Sequence, residues 1–207
     1  MNDQIAYRKW PQYAHWYNKL WFSEKMKYNC GPAGIAPVTS GWYVVRPIMN
    51  LSGMGAGATK KWIEADDVTQ VPLGYFWCEW FDGNQYSVTY EWVDWWWNPI
   101  SSWVGSKNED DLSKFYEWHR TSFLPEIDIL FHEISSVRSI NVEFIGDKPI
   151  EVHLRTSPDP DYDMLIPIWK NEEYLIDKYT NMGYTYVSSY DNADGFLETP
   201  RLGFMVK

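Results

Sequence analysis

The sequence is poor in cysteine, in basic residues and in long apolar runs, and each shortage excludes a class of protein. Its two cysteines, Cys30 and Cys78, belong to no CxxC pair. They therefore indicate reduced thiols rather than a disulfide framework or a zinc site. The 18 lysines and arginines are outnumbered by 28 aspartates and glutamates, and the formal net charge is −10. Wholesale binding to nucleic acid requires a basic surface, so at most a local basic pocket for one nucleotide is expected.

Hydrophobic targeting segments are missing as well. The first residues, MNDQIAYRKWPQYAHWYNKL, lack the apolar core of a secretory signal. No run approaches the ~18 apolar residues of a membrane helix. We therefore expect a cytoplasmic protein that binds neither a membrane nor nucleic acid.

Aromatic residues are abundant, with 14 tryptophans and 15 tyrosines. They indicate a core, a groove or an interface built on aromatic packing, and they are compatible with a homodimer. The stretch EWVDWWWNPISSW is the densest, and it is interpreted either as sheet core or as a platform for ring ligands. Its platform residues would be Trp92, Trp95, Trp96 and Trp97.

The chain divides into a lead-in segment and one larger domain. Residues 1–41 predict one amphipathic helix after Pro11 and then the Gly/Pro-rich linker CGPAGIAPVTSG. Residues 42–207 contain the other predicted elements, and a chain of 207 residues is long enough for a core in one domain or in two closely packed subdomains. Within the larger domain, residues 109–139 have helical character, and a further short helix is expected from Asn171 to Met182.

The stretch INVEFIGDKPIEVHLR, residues 140–155, contains several candidate functional side chains. Two alternating runs flank the turn GDKP, which predicts a β-hairpin. Because side chains alternate between the faces of a strand, Glu151, His153 and Arg155 share one face. If Glu143 points the same way, the patch is either a solvated face with an ion pair or a site for a hard cation such as Mg²⁺.

A glycine-rich loop at residues 50–58, NLSGMGAGA, follows the predicted strand GWYVVRPI. Glycines let backbone N–H groups approach an anion closely, although a flexible hairpin turn explains the loop equally well. The loop matches neither the P-loop nor the GxGxxG pattern. Arg46, just before it, is suited either to phosphate oxygens or to a surface ion pair.

Three segments in this order resemble the nucleotide-binding core of the ATP-grasp superfamily. YVVRPI with SGMGAGA is similar to the strand and mobile loop that cover the ATP phosphates, and the Arg46-Pro47 pair is similar to that of carbamoyl-phosphate synthetases. FWCEWFDGNQYSV, residues 76–88, resembles the hinge strand, and the 140–155 hairpin resembles the strands with the metal ligands. The resemblance implies an α+β ATP-grasp fold: two small subdomains with antiparallel sheets that clasp ATP, the first of them abbreviated.

The resemblance also implies a role for each matching residue. It implies catalytic roles for Arg46 and Arg155, which would steady the transferred phosphoryl group. It implies ATP binding by Arg46, Ser52, Gly53, Met54, Gly55, Ala56, Gly57, Glu79, Trp80, Phe81 and Gln85. It implies Mg²⁺ binding by Glu143, Glu151 and His153.

The sequence departs from the family pattern at specific positions. Gln85 replaces the carboxylate that holds the ribose, and His153 replaces an Asn whose amide oxygen is a metal ligand. Imidazole is a softer and bulkier ligand for Mg²⁺ than an amide oxygen. An additional cationic phosphate contact has no matching position, and its candidates are Lys9, Lys19, Lys25 and Lys27.

The implied function is an ATP-dependent ligase that joins a small-molecule or peptide carboxylate to an amine or similar nucleophile. It would act through an acyl phosphate with Mg·ATP. One alternative is a non-catalytic or regulatory ATP-binding protein on the same fold. A second is a tryptophan-rich carbohydrate-binding β-module.

Overall fold

The computed structural model describes residues 1–51, 55–107, 111–127, 129–189 and 200–207. These residues form an α+β fold of two antiparallel sheets and short helices, as the sequence predicts. None of their helices is long and apolar enough to cross a membrane.

The first part of the chain forms several short helices, so the prediction of one helix after Pro11 is wrong. Helix α1 (Asp3–Lys9), a 3-10 helix (Pro11–Tyr17) and helix α2 (Lys19–Lys25) follow one another. The side chains of Asn2 and Asn18 each accept a backbone N–H at a helix start. Asparagine is among the strongest N-caps, and the cap at Asn18 begins a new helix where continuation was expected.

The smaller sheet has the strand order β1–β4–β2–β3. Its strands are β1 (Cys30–Pro32), β2 (Gly41–Pro47), β3 (Thr59–Ile63) and β4 (Tyr75–Glu79). Tyr43, Val45 and Trp77 pack on one face, while Phe76 and Cys78 pack on the other face against Ile150 of the larger sheet. Since β1 belongs to the lead-in segment, residues 1–41 share a sheet with later strands, and the division at 41/42 stays a prediction.

The larger sheet has the strand order β11–β12–β10–β7–β6–β5–β8–β9. Its strands are β5 (Gln85–Val93), β6 (Trp96–Lys107), β7 (Phe115–Arg120), β8 (Ser139–Ile145), β9 (Lys148–His153), β10 (Met164–Trp169), β11 (Thr185–Ser188) and β12 (Arg201–Val206). A 3-10 helix (Ile129–Val137) and helix α3 (Tyr174–Asn181) lie between strands. The predicted hairpin at 140–155 and the predicted helix within 171–182 are confirmed.

Two faces of the larger sheet have opposite characters. On one face, Val88, Val142 and Val152 pack against Trp16 and Phe131, so the N-terminal helices cover the main core. The other face carries polar side chains toward the smaller sheet. Alternation along each strand produces this division, and the functional residues lie on the polar side.

The helical character predicted for residues 109–139 is wrong at residues 115–120. The structure has strand β7 there, hydrogen-bonded between β6 and β10 in the larger sheet. The run FYEWHR is rich in aromatic residues, which favour a pleated, half-buried surface. Hydrogen bonding to strands on both sides stabilises the strand, and this long-range pairing cannot be read from the local sequence pattern.

Candidate functional site

A cavity of about 510 Å³ lies between the two sheets. Its floor is the polar face of the larger sheet, and its other walls come from β2, the glycine-rich loop and the end of β4. This volume falls within the range of roughly 300–1,000 Å³ that is typical of small-molecule sites. The hairpin residues that the sequence singled out line this cavity: Glu143, Glu151, His153 and Arg155.

Strand register brings the two glutamates together. Glu143 on β8 is directly opposite Glu151 on β9, and Ser87 on β5 is directly opposite Glu143. Directly opposite residues of antiparallel strands share a face, with Cβ atoms about 5 Å apart. The convergence of the polar faces, which the sequence left conditional, is therefore present.

Asp3, the first residue of α1, holds His153 and Arg155. Its Oδ2 atom lies 2.9 Å from His153 Nδ1 and accepts a hydrogen bond of 2.7 Å from Arg155 Nη2. The Tyr17 hydroxyl donates a longer bond of 3.5 Å to Asp3 Oδ1. Asp3 is 4% exposed and His153 is 5% exposed, so this ionic cluster lies in the protein interior.

The Asp3 contact determines the charge of the imidazole. Burial by itself lowers the pKa of His153, but the Asp3 carboxylate and hydrogen bonds to Asp3 and Glu143 outweigh it and raise the pKa to about 10. Burial likewise raises the pKa of Asp3, yet His153 and Arg155 hold it well below its usual range. At neutral pH the pair is an imidazolium and a carboxylate.

Lys19 brings a further cation to the cavity from α2. Its Nζ donates a hydrogen bond of 2.7 Å to Glu151 Oε2, and 6% of its side chain is exposed. The sequence left four lysines open for the additional cationic contact. Of these four, Lys19 lines the cavity.

The donor set fits Mg²⁺ at the two glutamates and does not fit it at His153. Carboxylate oxygens are the hard ligands that Mg²⁺ prefers. Nε2 of His153 lies 3.6 Å from Glu143 Oε1 and 3.9 Å from Glu151 Oε1, but a protonated imidazole has no lone pair to donate. No three His, Cys, Asp or Glu side chains in the described part of the chain are placed to hold one metal ion. Glu143 and Glu151 remain the candidate ligands, and His153 is a fixed cation beside them.

Arg46 lies on the opposite wall, on β2. It is 8% exposed, and its Nη2 donates a hydrogen bond of 3.1 Å to the Ile150 carbonyl. Lys107, at the end of β6, is close enough to Glu143 and to Arg46 for both charges to affect its pKa. Burial lowers the pKa of Lys107, Glu143 opposes this effect, and Arg46 adds to it. Two cations, Arg46 on the opposite wall and Lys107 on the floor, are therefore in the cavity with the carboxylate pair.

The glycine-rich loop is described in part. Gly55 and Ala56 line the cavity, whereas Gly57 is exposed. Ser52, Gly53 and Met54, which the resemblance placed in this loop, lie outside the described residues. Gly55 has a φ of 61°, and a Cβ there would lie 3.3 Å from the Leu112 carbonyl oxygen. The loop thus runs close to the segment that leads into β7.

The hinge residues Glu79, Trp80 and Phe81 line the cavity where β4 ends. The Glu79 carboxylate accepts a hydrogen bond of 2.9 Å from the Asn29 N–H, which ties the hinge to the chain before β1. Gln85 Nε2 donates a hydrogen bond of 2.7 Å to Glu143 Oε2. Gln85 Oε1 is buried and accepts no hydrogen bond from the described residues.

The tryptophan-rich stretch separates into a buried and an exposed part. Trp97 is buried and donates to the Phe131 carbonyl at 2.7 Å, and Trp92 packs on Trp97. Trp95 and Trp96 are 81% and 65% exposed at the β5–β6 turn. The core interpretation therefore holds for Trp92 and Trp97, and the exposed rings lie outside the cavity.

Sequence reasoning missed Asp3 and the aromatic part of the cavity floor. Asp3 lies in a short segment with no motif, so its role depends on a contact across the whole fold. Phe115 and Trp118 were assigned to a helix, although the aromatic content of FYEWHR is a signal for a strand.

The sequence matches no protein-family model, and a search of curated proteins found no match. Solved structures do match. N5-carboxyaminoimidazole synthetase from Staphylococcus aureus complexed with ADP has a TM-score of 0.53 at 9% identity, covering 91% of this chain and 66% of that chain. Carboxyaminoimidazole ribonucleotide synthase from Aspergillus clavatus complexed with ATP has a TM-score of 0.55 at 7% identity, covering 95% and 69%.

A third structure is described as a putative ATP-grasp superfamily protein from Archaeoglobus fulgidus, with a TM-score of 0.40, 14% identity and coverage of 70% and 47%. The chain thus spans between about half and about two thirds of the length of these structures. It has the ATP-grasp fold, as the resemblance implied. At these identities the likeness extends to the fold alone.

Proposed function

We propose that this chain is an ATP-dependent ligase that joins a carboxylate to an amine or similar nucleophile through an acyl phosphate. One observation carries the proposal: Glu143 and Glu151 line one cavity of an ATP-grasp fold together with the cations Lys19, Arg46 and Arg155. Phosphoryl transfer depends on positioning and charge stabilisation, for which carboxylates, cations and backbone amides suffice.

The proposed pose of ATP follows the walls of the cavity. The adenine lies along the hinge at residues 79–81, and the triphosphate points toward the carboxylate pair. Arg46, Lys19 and the N–H groups of the loop neutralise phosphate oxygens. Mg²⁺ held by Glu143 and Glu151 would supply additional neutralisation of the phosphate charge. In support, similar folds have been solved with ADP and with ATP.

The proposed chemistry has two displacements. A substrate carboxylate oxygen attacks the γ-phosphorus, a P–O bond forms and ADP leaves. The amine then attacks the acyl carbon, the bond to the phosphate oxygen breaks, and one proton passes from the amine to the departing phosphate or to solvent. Arg155 steadies the transferred group, and exclusion of water from the cavity would protect the acyl phosphate from hydrolysis.

Hydroxylamine trapping tests this proposal. The protein is incubated with Mg·ATP, a pool of carboxylic acids and hydroxylamine, and ADP and hydroxamate are both measured. We expect carboxylate-dependent ADP release with equal amounts of hydroxamate, and a loss of at least ~100-fold in Glu143→Gln, as for removal of one electrostatic contact to a transition state. ADP release without hydroxamate, or a rate unchanged in Glu143→Gln, contradicts the acyl-phosphate mechanism.

A second candidate function is ATP binding without catalysis. The hydrogen bond from Arg155 to Asp3 favours it, because this bond engages the guanidinium that would steady the phosphoryl group. This candidate predicts ATP binding with no ADP release for any carboxylate in the pool.

A further inference from the structure

The far half of the cavity floor carries four aromatic side chains, and the proposed nucleotide contacts do not reach them. The carboxylates lie on β8 and β9, at one end of the larger sheet. Moving across β6, β7 and β10, the floor is formed by Trp103, Phe115, Trp118 and Trp169. Polar and aromatic ends thus belong to one continuous surface.

Strand register gives the distance from Glu143 to Trp103 on β6, the strand next to the ring pair on β7. Trp103 is directly opposite Ser87, and Ser87 is directly opposite Glu143. Because neighbouring strands are about 4.8 Å apart, Trp103 lies roughly 10 Å from Glu143 across the sheet. The Trp103 side chain is fixed by a hydrogen bond of 2.9 Å from Nε1 to the Tyr162 carbonyl.

Gly105 allows two of the rings to lie directly on the sheet. It is opposite Gln85 on one side and Trp118 on the other. A Cβ at this position would lie 2.7 Å from Phe115 Cδ1 and 2.9 Å from Trp118 Cε3. The rings, whose centroids are 4.3 Å apart with planes 32° apart, therefore pack over bare backbone. Glycine inside a strand is unfavourable unless another group must approach this closely.

Positive charge lies beside this ring pair, on the neighbouring strand. Lys107 is on β6 directly opposite Phe115, and its Nζ is 5.5 Å from the centre of that ring. No carboxylate of the described residues lies within ion-pair distance of Lys107. A ligand whose ring rests on Phe115 and Trp118 would have a cation beside it, on the side of the phosphoryl-transfer groups.

We propose that the Phe115–Trp118 ring pair binds the aromatic ring of the substrate acid, whose carboxylate reaches past Lys107 toward the Glu143 end. The substrate class is an aryl-bearing carboxylic acid with a short flexible spacer between ring and carboxylate. This inference rests on the proposed function, since it names the acid that the ligase would activate.

Calorimetric titration of two matched acids tests the inference. The probes are 3-phenylpropanoate and 3-cyclohexylpropanoate, titrated into the full chain with a non-hydrolysable ATP analogue and Mg²⁺ present. The phenyl acid should bind about three- to tenfold more tightly, which is the size of a favourable ring–ring contact. Trp118→Leu should remove this difference, whereas Trp95→Leu, a change at an exposed ring outside the cavity, should preserve it.

Gly105→Ala provides a second variant that keeps every ring. Its Cβ would displace Phe115 and Trp118, so it should also abolish the preference for the phenyl acid, with a melting curve verifying the fold. Equal affinity for both acids in the unmodified chain, no binding of either, or an unchanged preference in Trp118→Leu overturns the inference.

Failure of the ligase proposal gives a different result. If ATP with Mg²⁺ leaves the melting temperature unchanged while the phenyl acid binds preferentially, the ring pair binds aromatic acids but the ligase proposal is wrong. If ATP raises the melting temperature and neither acid binds, the chain binds ATP but the ring pair is not the binding site of an aromatic acid.

Discussion

The Asp3 carboxylate lies 2.9 Å from the imidazole of His153, although 150 positions separate the two residues in the chain. The same carboxylate oxygen accepts a hydrogen bond from Arg155. One acidic side chain from helix α1 therefore orients two cations of the site hairpin. The N-terminal segment is thus part of the site and not merely a lead-in to it.

Replacement of Asp3 should destabilise the protein strongly. Asp3→Asn leaves two buried cationic side chains without their carboxylate, and breaking a buried ion pair in this way costs about 3–5 kcal/mol. Urea unfolding measures the free energy. The matched control is Glu91→Gln, at an exposed position of β5, which should change stability by less than ~0.5 kcal/mol. A loss below ~1 kcal/mol in Asp3→Asn would mean that the cluster contributes little net stability.

The imidazolium of His153 should make stability fall as pH rises above neutrality. Its pKa is raised from 6.5 to about 10 in the folded protein, so its contribution is complete below pH 6.5 and is lost as pH rises toward 10. One proton gives a slope of at most ~1.4 kcal/mol per pH unit. The stability difference between the unmodified chain and His153→Gln should shrink between pH 7 and 9. A constant difference over that range contradicts a charged His153.

Lys19 should contribute to nucleotide affinity. If Lys19 neutralises phosphate oxygens, Lys19→Met should weaken ATP binding at least tenfold, the factor that corresponds to ~1.4 kcal/mol. Lys19→Arg keeps the positive charge and should retain part of the ATP affinity. The matched control is Lys25→Met, because Lys25 is an exposed lysine on the same helix. Equal ATP affinity in the Met variants of both positions would assign Lys19 a purely structural role with Glu151.

The two cysteines should react slowly in the folded protein. Cys30 and Cys78 are directly opposite on β1 and β4, and both are free. Burial raises the pKa of Cys30 to about 12 and that of Cys78 to about 11, and the thiolate is the reactive form. With Ellman's reagent at pH 8, we expect slow reaction in buffer and rapid reaction of both in urea. Rapid native reaction of either thiol would show that this sheet opens readily.

Local patterns sufficed to predict the hairpin. Alternation around GDKP predicted strands β8 and β9, and register then placed Glu143 opposite Glu151. A period of two determines the face of every side chain once the strands pair. The resemblance to ATP-grasp proteins supplied the fold, because its segments occur in the same order.

Long-range contacts could not be predicted from the sequence. Asp3 meets His153 only because α1 packs at the edge of the larger sheet, and no spacing rule connects residue 3 with residue 153. For the same reason, the sequence could not select one of the four candidate lysines. Only the packing of α2 places Lys19 beside Glu151. Strand β7 was mistaken for a helix, because its conformation depends on pairing with β6 and β10. The aromatic end of the cavity was therefore not predicted either.

Calorimetric titration of ATP with Mg²⁺ into the full chain measures nucleotide binding, on which the proposed function depends. We expect one ATP to bind per chain. The double variant Glu143→Gln, Glu151→Gln should remove the dependence of this binding on Mg²⁺, and Arg46→Met should weaken ATP affinity at least tenfold, or by ~1.4 kcal/mol. No heat from ATP in a folded, unmodified chain, or an ATP affinity unchanged in all of these variants, would show that the cavity is not an ATP site.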